Sequence, residues 1–336
     1  MEHARRPAFP LRTRRELIAA AGVLALGVFG AGRARAQAWP AAKPIRLVIG
    51  FAPGGAADYV ARALNEPLGR AIGQAVVVEN RAGAGSSLAA DFVAKSPADG
   101  YTLLIASPSA ISVNPSLNPK LTYAKDLLPV TKLTSSPLVI AVHPDVPVRT
   151  LQELIALAKK KPGSLNYTSS GNGSAPHLGA AHFSAVTGVE MVHIPYKGGA
   201  PAIAAVVAGD AQVTFGTPPS VLPMVQAGRL RAIAVTSPNR TPLVPGVAGT
   251  AEAGLPNYSM SFWYGLFVPA GTPPEVVRKV FDAAQETLQR AEVKALLARE
   301  GAEVAASRSP EEFAAFLDGD SRFWAKLVKD AGVKPE

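Results

Sequence analysis

Ile45-Arg46-Leu47-Val48-Ile49-Gly50-Phe51-Ala52-Pro53-Gly54-Gly55-Ala56-Ala57-Asp58 is an apolar run of strand length that stops at Pro-Gly-Gly and passes at once into a helical pattern. It reads as a strand, a tight turn and a helix N-terminus. The first amides of a helix lack intrahelical partners, and the macrodipole places roughly half a positive charge there, so such a turn is ready to hold an anion. Asp58, in the first turn, adds a fixed carboxylate that could meet a cation or a donor on a ligand.

Working outward, strand-like and helical segments alternate from Ile45 to the end, which predicts an α/β fold with mostly parallel sheets. A helix follows from about Ala57 to Ile72, with Pro67 expected to kink or shorten it. Strands are expected at Ala75–Glu79, Tyr101–Ala106 and Pro137–Val142, and a helix at Ser86–Lys95. Thr150-Leu-Gln-Glu153 is a capping box opening Leu151–Lys160. Thr272 and Ser309 open two further amphipathic helices. In the last of these, Phe313, Phe316, Leu317, Trp324, Leu327 and Val328 form the apolar stripe, while Glu311, Glu312, Asp318 and Asp320 read as a solvated face.

A second element repeats the first in organisation. Leu165-Asn166-Tyr167-Thr168-Ser169-Ser170-Gly171-Asn172-Gly173-Ser174 is a short strand and a Gly/Ser turn, followed by a helix from His177 to Val186. Two anion-ready helix N-termini more than a hundred residues apart suggest one in each of two lobes, facing each other across a cleft. Serines gather near strand ends at Ser107/Ser109, Ser169/Ser170/Ser174 and Ser220, where open α/β sheets bind their ligands. Tyr196-Lys197-Gly198-Gly199 ends another strand, and Lys197 could attract a carboxylate.

Residues 1–36 read as an export leader: a basic stretch with Arg14-Arg15, the apolar run Leu17–Gly32, and Ala34-Arg35-Ala36 as a cleavage site. The arginine pair resembles a twin-arginine signal, with the Sec route as the alternative. At 16 residues the apolar run is shorter than the roughly 20 that span a bilayer. The leader holds seven Arg and two Glu, so the remaining 300 residues keep +4 of the whole-chain +9. That excess suits small anions, and no basic stripe suggests nucleic acid.

Several chemistries have no footing. With no cysteine, disulfides, thiolate catalysis and Cys-based metal sites are excluded. Neither glycine turn completes a dinucleotide fingerprint, no Walker lysine follows one, and no G-x-S-x-G elbow is present. His177 and His182 lie about 140° apart on a helix, poor spacing for a shared metal. No cofactor or metal is expected. His177, beside the glycine turn, is either a ligand neighbour or a capping and packing residue.

The chain resembles the extracytoplasmic solute receptors of tripartite tricarboxylate transporters, the Bug receptors. The resemblance runs through Pro44–Val48, Phe51–Asp58, Val78–Gly83, Asp99–Leu103, Tyr167–Ser174, His193–Gly199, Ala227–Ala232, Ala251–Leu255, Val268–Thr272 and Gly301–Glu303. It implies a type II periplasmic binding protein with two α/β lobes and a ligand cleft between them. The implied organisation is a signal peptide over 1–36, a discontinuous first lobe over 37–137 and 261–336, and a second lobe over 138–260. Family ligands are small organic carboxylates, passed to membrane permease subunits or sensed through a kinase, by a monomeric periplasmic receptor that is not an enzyme. The family pattern places ligand contacts on Phe51, Pro53, Gly54, Gly55, Ala56, Ala57 and Asp58, on Ser107, on Ser170, Gly171, Gly173 and Ser174, and on Lys197 and Thr217. Ala56 and Ala57 supply no hydroxyl where the family often has one, and Gly216-Thr217 replaces a commonly acidic or amide position. Both departures admit less polar or aromatic carboxylates. The reading from another class is a secreted α/β hydrolase, which would need an activated nucleophile.

Overall fold

A computed structural model describes residues 39–299 and 301–330; the expected leader lies outside them. The first half of the chain builds β1 (Ile45–Ile49), α1 (Ala56–Ile72), β2 (Val76–Asn80), α2 (Ser87–Ala94), β3 (Thr102–Ala106), α3 (Asn114–Leu117) and β4 (Leu127–Pro137). The middle adds β5 (Val139–Val142), α4 (Leu151–Lys160), β6 (Asn166–Ser169), α5 (Ala175–Thr187), β7 (Val192–Pro195), α6 (Gly199–Ala208), β8 (Val213–Gly216), α7 (Pro218–Gln226) and β9 (Arg231–Val235). The chain then returns through β10 (Ser261–Pro269), α8 (Pro274–Gln289), α9 (Ala291–Arg299), β11 (Glu303–Val304) and α10 (Pro310–Asp330).

These elements form two α/β lobes, each around its own sheet. One sheet runs β11-β4-β10-β3-β1-β2 and the other β7-β6-β8-β5-β9. Mostly parallel sheets were expected, and both are mixed. β1 pairs in parallel with β2 and β3, and β6 with β7 and β8, as βαβ crossovers require. β10 is antiparallel to β3 and β4, and β5 is antiparallel to β8 and β9. The reason is topological. β5 and β10 are the strands that arrive from the opposite lobe, so each enters its sheet at the cleft edge and runs away from it. The βα strands β1, β3, β6 and β8 therefore all point their carboxyl ends at the cleft, where ligands of open α/β sheets bind.

Local sequence explains the elements that matter. β1 buries Ile45, Leu47, Val48 and Ile49 completely between two neighbours. α1 buries Ala57, Val60, Ala61, Leu64 and Leu68 on one face and continues through Pro67, whose ring is itself buried. The capping box at α4 is formed, with Glu153 N–H donating to Thr150 Oγ1 at 3.2 Å and Thr150 N–H donating to Glu153 Oε2 at 3.2 Å. Asp320 departs from its expected solvated place. It is half-buried and accepts from the indoles of Trp263 (2.9 Å) and Trp324 (3.0 Å) and from Ser112 Oγ (2.8 Å). Two tryptophan N–H groups inside the core need an acceptor, and this carboxylate supplies it.

Candidate functional site

β1 ends in the Pro53-Gly54-Gly55 turn, where Gly54 adopts φ 79° and α1 begins at once. Asp58 fixes the turn. It is 4% exposed; its Oδ2 accepts from Gly54 N–H (3.0 Å) and Arg62 Nε (2.8 Å), and its Oδ1 accepts from Asn80 Nδ2 (3.0 Å). Burial works to raise its pKa, but these donors outweigh burial and hold it below the ordinary carboxylate value. Both oxygens are thus engaged by the protein. No side chain caps α1, so the amides of its first turn are left to whatever lies in front of them.

What lies in front is a cavity of about 30 Å³, room for a few waters or a small oxyanion head. Four helix N-termini reach it: Gly55–Ala57 of α1, Ala175 and Pro176 of α5, Gly199 of α6, and Thr217 and Ser220 at the start of α7. α6 and α7, like α1, have no side-chain cap, whereas Ser174 Oγ caps α5 by accepting from His177 N–H at 3.4 Å. Phe262 and Tyr264, alternate residues of β10, form an aromatic wall with ring centroids 4.8 Å apart. Burial keeps the Tyr264 phenol protonated. Ser109 Oγ is fully buried on the lining with no hydrogen-bond partner. Not one lining side chain is charged.

The structure brings Phe51, Gly55, Ala56, Ala57, Ser170 and Thr217 to this cavity. Pro53 and Gly54 are exposed on the far side of the turn, and Asp58 faces the loop. Ser107 is fully buried with an unpartnered Oγ but stands behind the lining. Gly173 and Ser174 are buried within the second turn and outside this lining, and Gly171 and Lys197 line a neighbouring cavity instead. Ser109, one of the serines expected near strand ends, stands on the lining, and Phe262 and Tyr264 are lining residues missing from the sequence-based set. The i, i+2 aromatic spacing at 262–264 was their available signal.

The second turn rests on two stacked imidazoles. The rings of His177 and His193 lie 4.0 Å apart at 3°, and Tyr167 stacks on the other face of His193 at 4.9 Å. Gly173 N–H donates to His177 Nδ1 at 3.1 Å, so the His177 proton sits on Nε2. Ser169 Oγ accepts from Gly171 N–H and donates to Gly171 O, each at 3.1 Å, so His193 Nε2–H donates to Ser169 Oγ at 2.6 Å. Burial lowers the His177 pKa to about 4; burial, then the neighbouring His177, lowers that of His193 to about 3. Both are therefore neutral at pH 7. The unfolded chain binds the extra protons once pH falls below about 6.5, so stability is complete above that value and declines on acidification toward pH 4. Each such proton contributes a slope of up to about 1.4 kcal/mol per pH unit. Melting curves from pH 8 to 4 should be flat at the top and fall below 6.5, and His193→Phe should flatten the decline.

Among the described residues no helix is long and apolar enough to cross a membrane. The tripartite tricarboxylate transporter family receptor profile matches residues 60–333. BugT of Bordetella pertussis is 36% identical over 321 residues, 95% of this chain and 98% of its own. A structure of an R. palustris protein with adipate superposes with a TM-score of 0.85 at 33% identity, over 89% of this chain and 100% of that one. MatC from Rhodopseudomonas palustris with bound malate gives 0.81 at 30% identity, over 86% and 99%. With profile, relatives and two-lobe fold in agreement along almost its whole described length, the chain belongs to the tripartite tricarboxylate transporter receptor family of periplasmic solute-binding proteins.

Proposed function

We propose that this chain captures a small organic carboxylate by closing its lobes, 37–137 with 261–336 against 138–260, and presents it to membrane permease subunits from the periplasm. One observation carries the reading: four helix N-termini meet at an enclosed cavity that has no charged side chain. Their dipoles, together with the orphan amides that open α1 and α6 and that of Ala175, favour an anion without a basic residue to pair it; α7, which opens on Pro218-Pro219, adds its dipole and the hydroxyls of Thr217 and Ser220, and Ser109 Oγ is a further donor. Exclusion of water strengthens such charge-assisted bonds. Micromolar affinity needs only about −8 kcal/mol, within reach of a few of them. The adipate and malate held by the two related structures belong to the same ligand class.

The contact between Ser169 Oγ and His193 Nε2 invites the hydrolase reading, and its chemistry argues against it. The hydrogen-bond roles make His193 the donor, and a pKa of about 3 leaves the ring a poor base at neutral pH. The pair instead fixes the second turn. Asp58 acts likewise as a positioning residue for the first.

A thermal-shift screen of the mature protein against mono-, di- and tricarboxylates tests the proposal. Binders of the adipate or malate type should raise the melting temperature, by about 2.7 kcal/mol of stabilisation at a hundredfold excess over Kd, and be recovered unchanged after incubation. No shift with any carboxylate, or turnover of one, would overturn the assignment.

A further inference from the structure

β10 separates two environments. Alternation turns Phe262 and Tyr264 toward the helix-lined cavity, and Ser261 and Trp263 to the opposite face. On that opposite face, beside α10, lies a cavity of about 550 Å³, within the roughly 300–1,000 Å³ of small-molecule sites. Both crossings between the lobes wall it, through Ser136 and Pro137 at the end of β4 and residues 259–261 at the start of β10. Thr236, just after β9, holds these walls together: its Oγ1 accepts from Leu138 N–H at 2.8 Å and donates to Met260 O at 2.7 Å. Phe316 belongs by periodicity to the buried stripe of α10, yet it is 36% exposed, and Phe323, two turns on, is 44% exposed; both border this cavity. Two carboxylates and no basic side chain line it. Asp320 is already engaged by two indoles and Ser112. Glu303 is exposed, and its carboxylate makes no hydrogen bond or ion pair among the described residues. The protein already sets one ammonium in these surroundings: Lys132 Nζ lies 4.3 Å from the Phe316 ring centroid and is attracted by both carboxylates. One positive charge against two negative leaves the cavity acidic, and neither that charge nor the two exposed rings serves the carboxylate cleft.

We propose that this cavity is a second binding site, which takes an organic ammonium carrying an aromatic or alkyl body. The body lies on Phe316, Phe323 and Met260, and the ammonium pairs with Glu303, with the exposed Phe323 ring as its second attraction. An anion of the kind favoured by the helix dipoles on the other side of β10 is repelled here. The site stands on its own lining and does not depend on the carboxylate reading of the cleft.

Calorimetric titration of phenethylamine and its neutral isostere 2-phenylethanol into wild type, Glu303→Gln and Phe323→Ala tests this. Both side chains are exposed and lie outside the cleft, so each variant should fold, which melting curves check. Wild type should bind the amine about tenfold tighter than the alcohol. Glu303→Gln should weaken amine binding about tenfold and leave the alcohol unchanged, while Phe323→Ala should weaken both. No binding of the amine to wild type at millimolar concentration, equal affinity for the two probes, or amine affinity unchanged in Glu303→Gln or in Phe323→Ala, overturns the site. Neither residue borders the helix-lined cavity, so none of these outcomes bears on the carboxylate reading.

Discussion

Asp58→Ala is expected to lower the stability of the protein by about 3 kcal/mol and to abolish carboxylate binding at the same time. The carboxylate gathers three donors into a space 4% exposed to solvent, and deleting it leaves Gly54 N–H without its acceptor and Asn80 Nδ2 with Phe51 O alone. The Arg62 arm of the cluster contributes less, because its guanidinium is 57% exposed and screened. Loss of binding follows from geometry: the turn that aims the first amides of α1 at the cavity is held in place by this one side chain. The same logic fixes the pH response. The folded pKa is depressed, so this stabilisation is present above the ordinary carboxylate value and is lost as pH falls through the folded one. Melting curves and calorimetric titration of one preparation decide the matter. Lost affinity with an unchanged melting temperature would mean that Asp58 touches the ligand, as the sequence suggested.

The first turn was legible because its causes are local. An apolar run, a Pro-Gly-Gly break and a helical pattern within fourteen residues leave the backbone little choice. The capping box at Thr150 and the second glycine turn are of the same kind. What could not be read locally were residues that reach the cavity through chain topology. Phe262 and Tyr264 belong to β10, which enters the first sheet from the opposite lobe and carries its aromatic face into the cleft. Periodicity marks them as strand residues with one buried face and is silent about what that face meets. The same crossing makes the sheets mixed, since βαβ alternation predicts direction only for strands joined within one lobe.

Polar residues were misread where their partners are distant. Asp320 has the helical phase of a solvated carboxylate, yet Trp263, almost sixty residues earlier, turns an indole N–H toward it. His177, by contrast, is the capping and packing residue that one of its two sequence readings offered, and only its stacking partner, His193, was out of reach of any spacing rule. Ser86 shows the converse. Its left-handed backbone is a property of the folded loop, and a serine at such a position carries no sequence signature.

Gly173→Ala is expected to weaken ligand binding by ten- to hundredfold, an effect on closure and not on folding. Gly173 has φ 69°, and a Cβ there would stand 2.5 Å from Asn114 Oδ1 and 3.3 Å from Val113 Cγ1, both across the cleft in the other lobe. Asn114 cannot retreat easily, because its Nδ2 donates to Ala84 O (3.2 Å), Gly85 O (3.0 Å) and Ser87 Oγ (2.8 Å). Overpacking of this kind costs about 1–3 kcal/mol, and it is charged to the closed form because the clash disappears when the lobes part. Strain at positive φ adds about 1 kcal/mol or more in either form. Gly188→Ala isolates that second contribution: Gly188 has the same φ of 69° and nothing within 4 Å of the new methyl. Both variants should lose similar stability as apo proteins, while Gly173→Ala alone loses affinity for a carboxylate that shifts the wild-type melting curve. Small-angle scattering should show wild type and Gly188→Ala compacting with that carboxylate, and Gly173→Ala staying at its apo radius. Equal affinity in the two variants would mean that the bound state does not bring Gly173 against Asn114, and that the lobes hold their ligand without this contact.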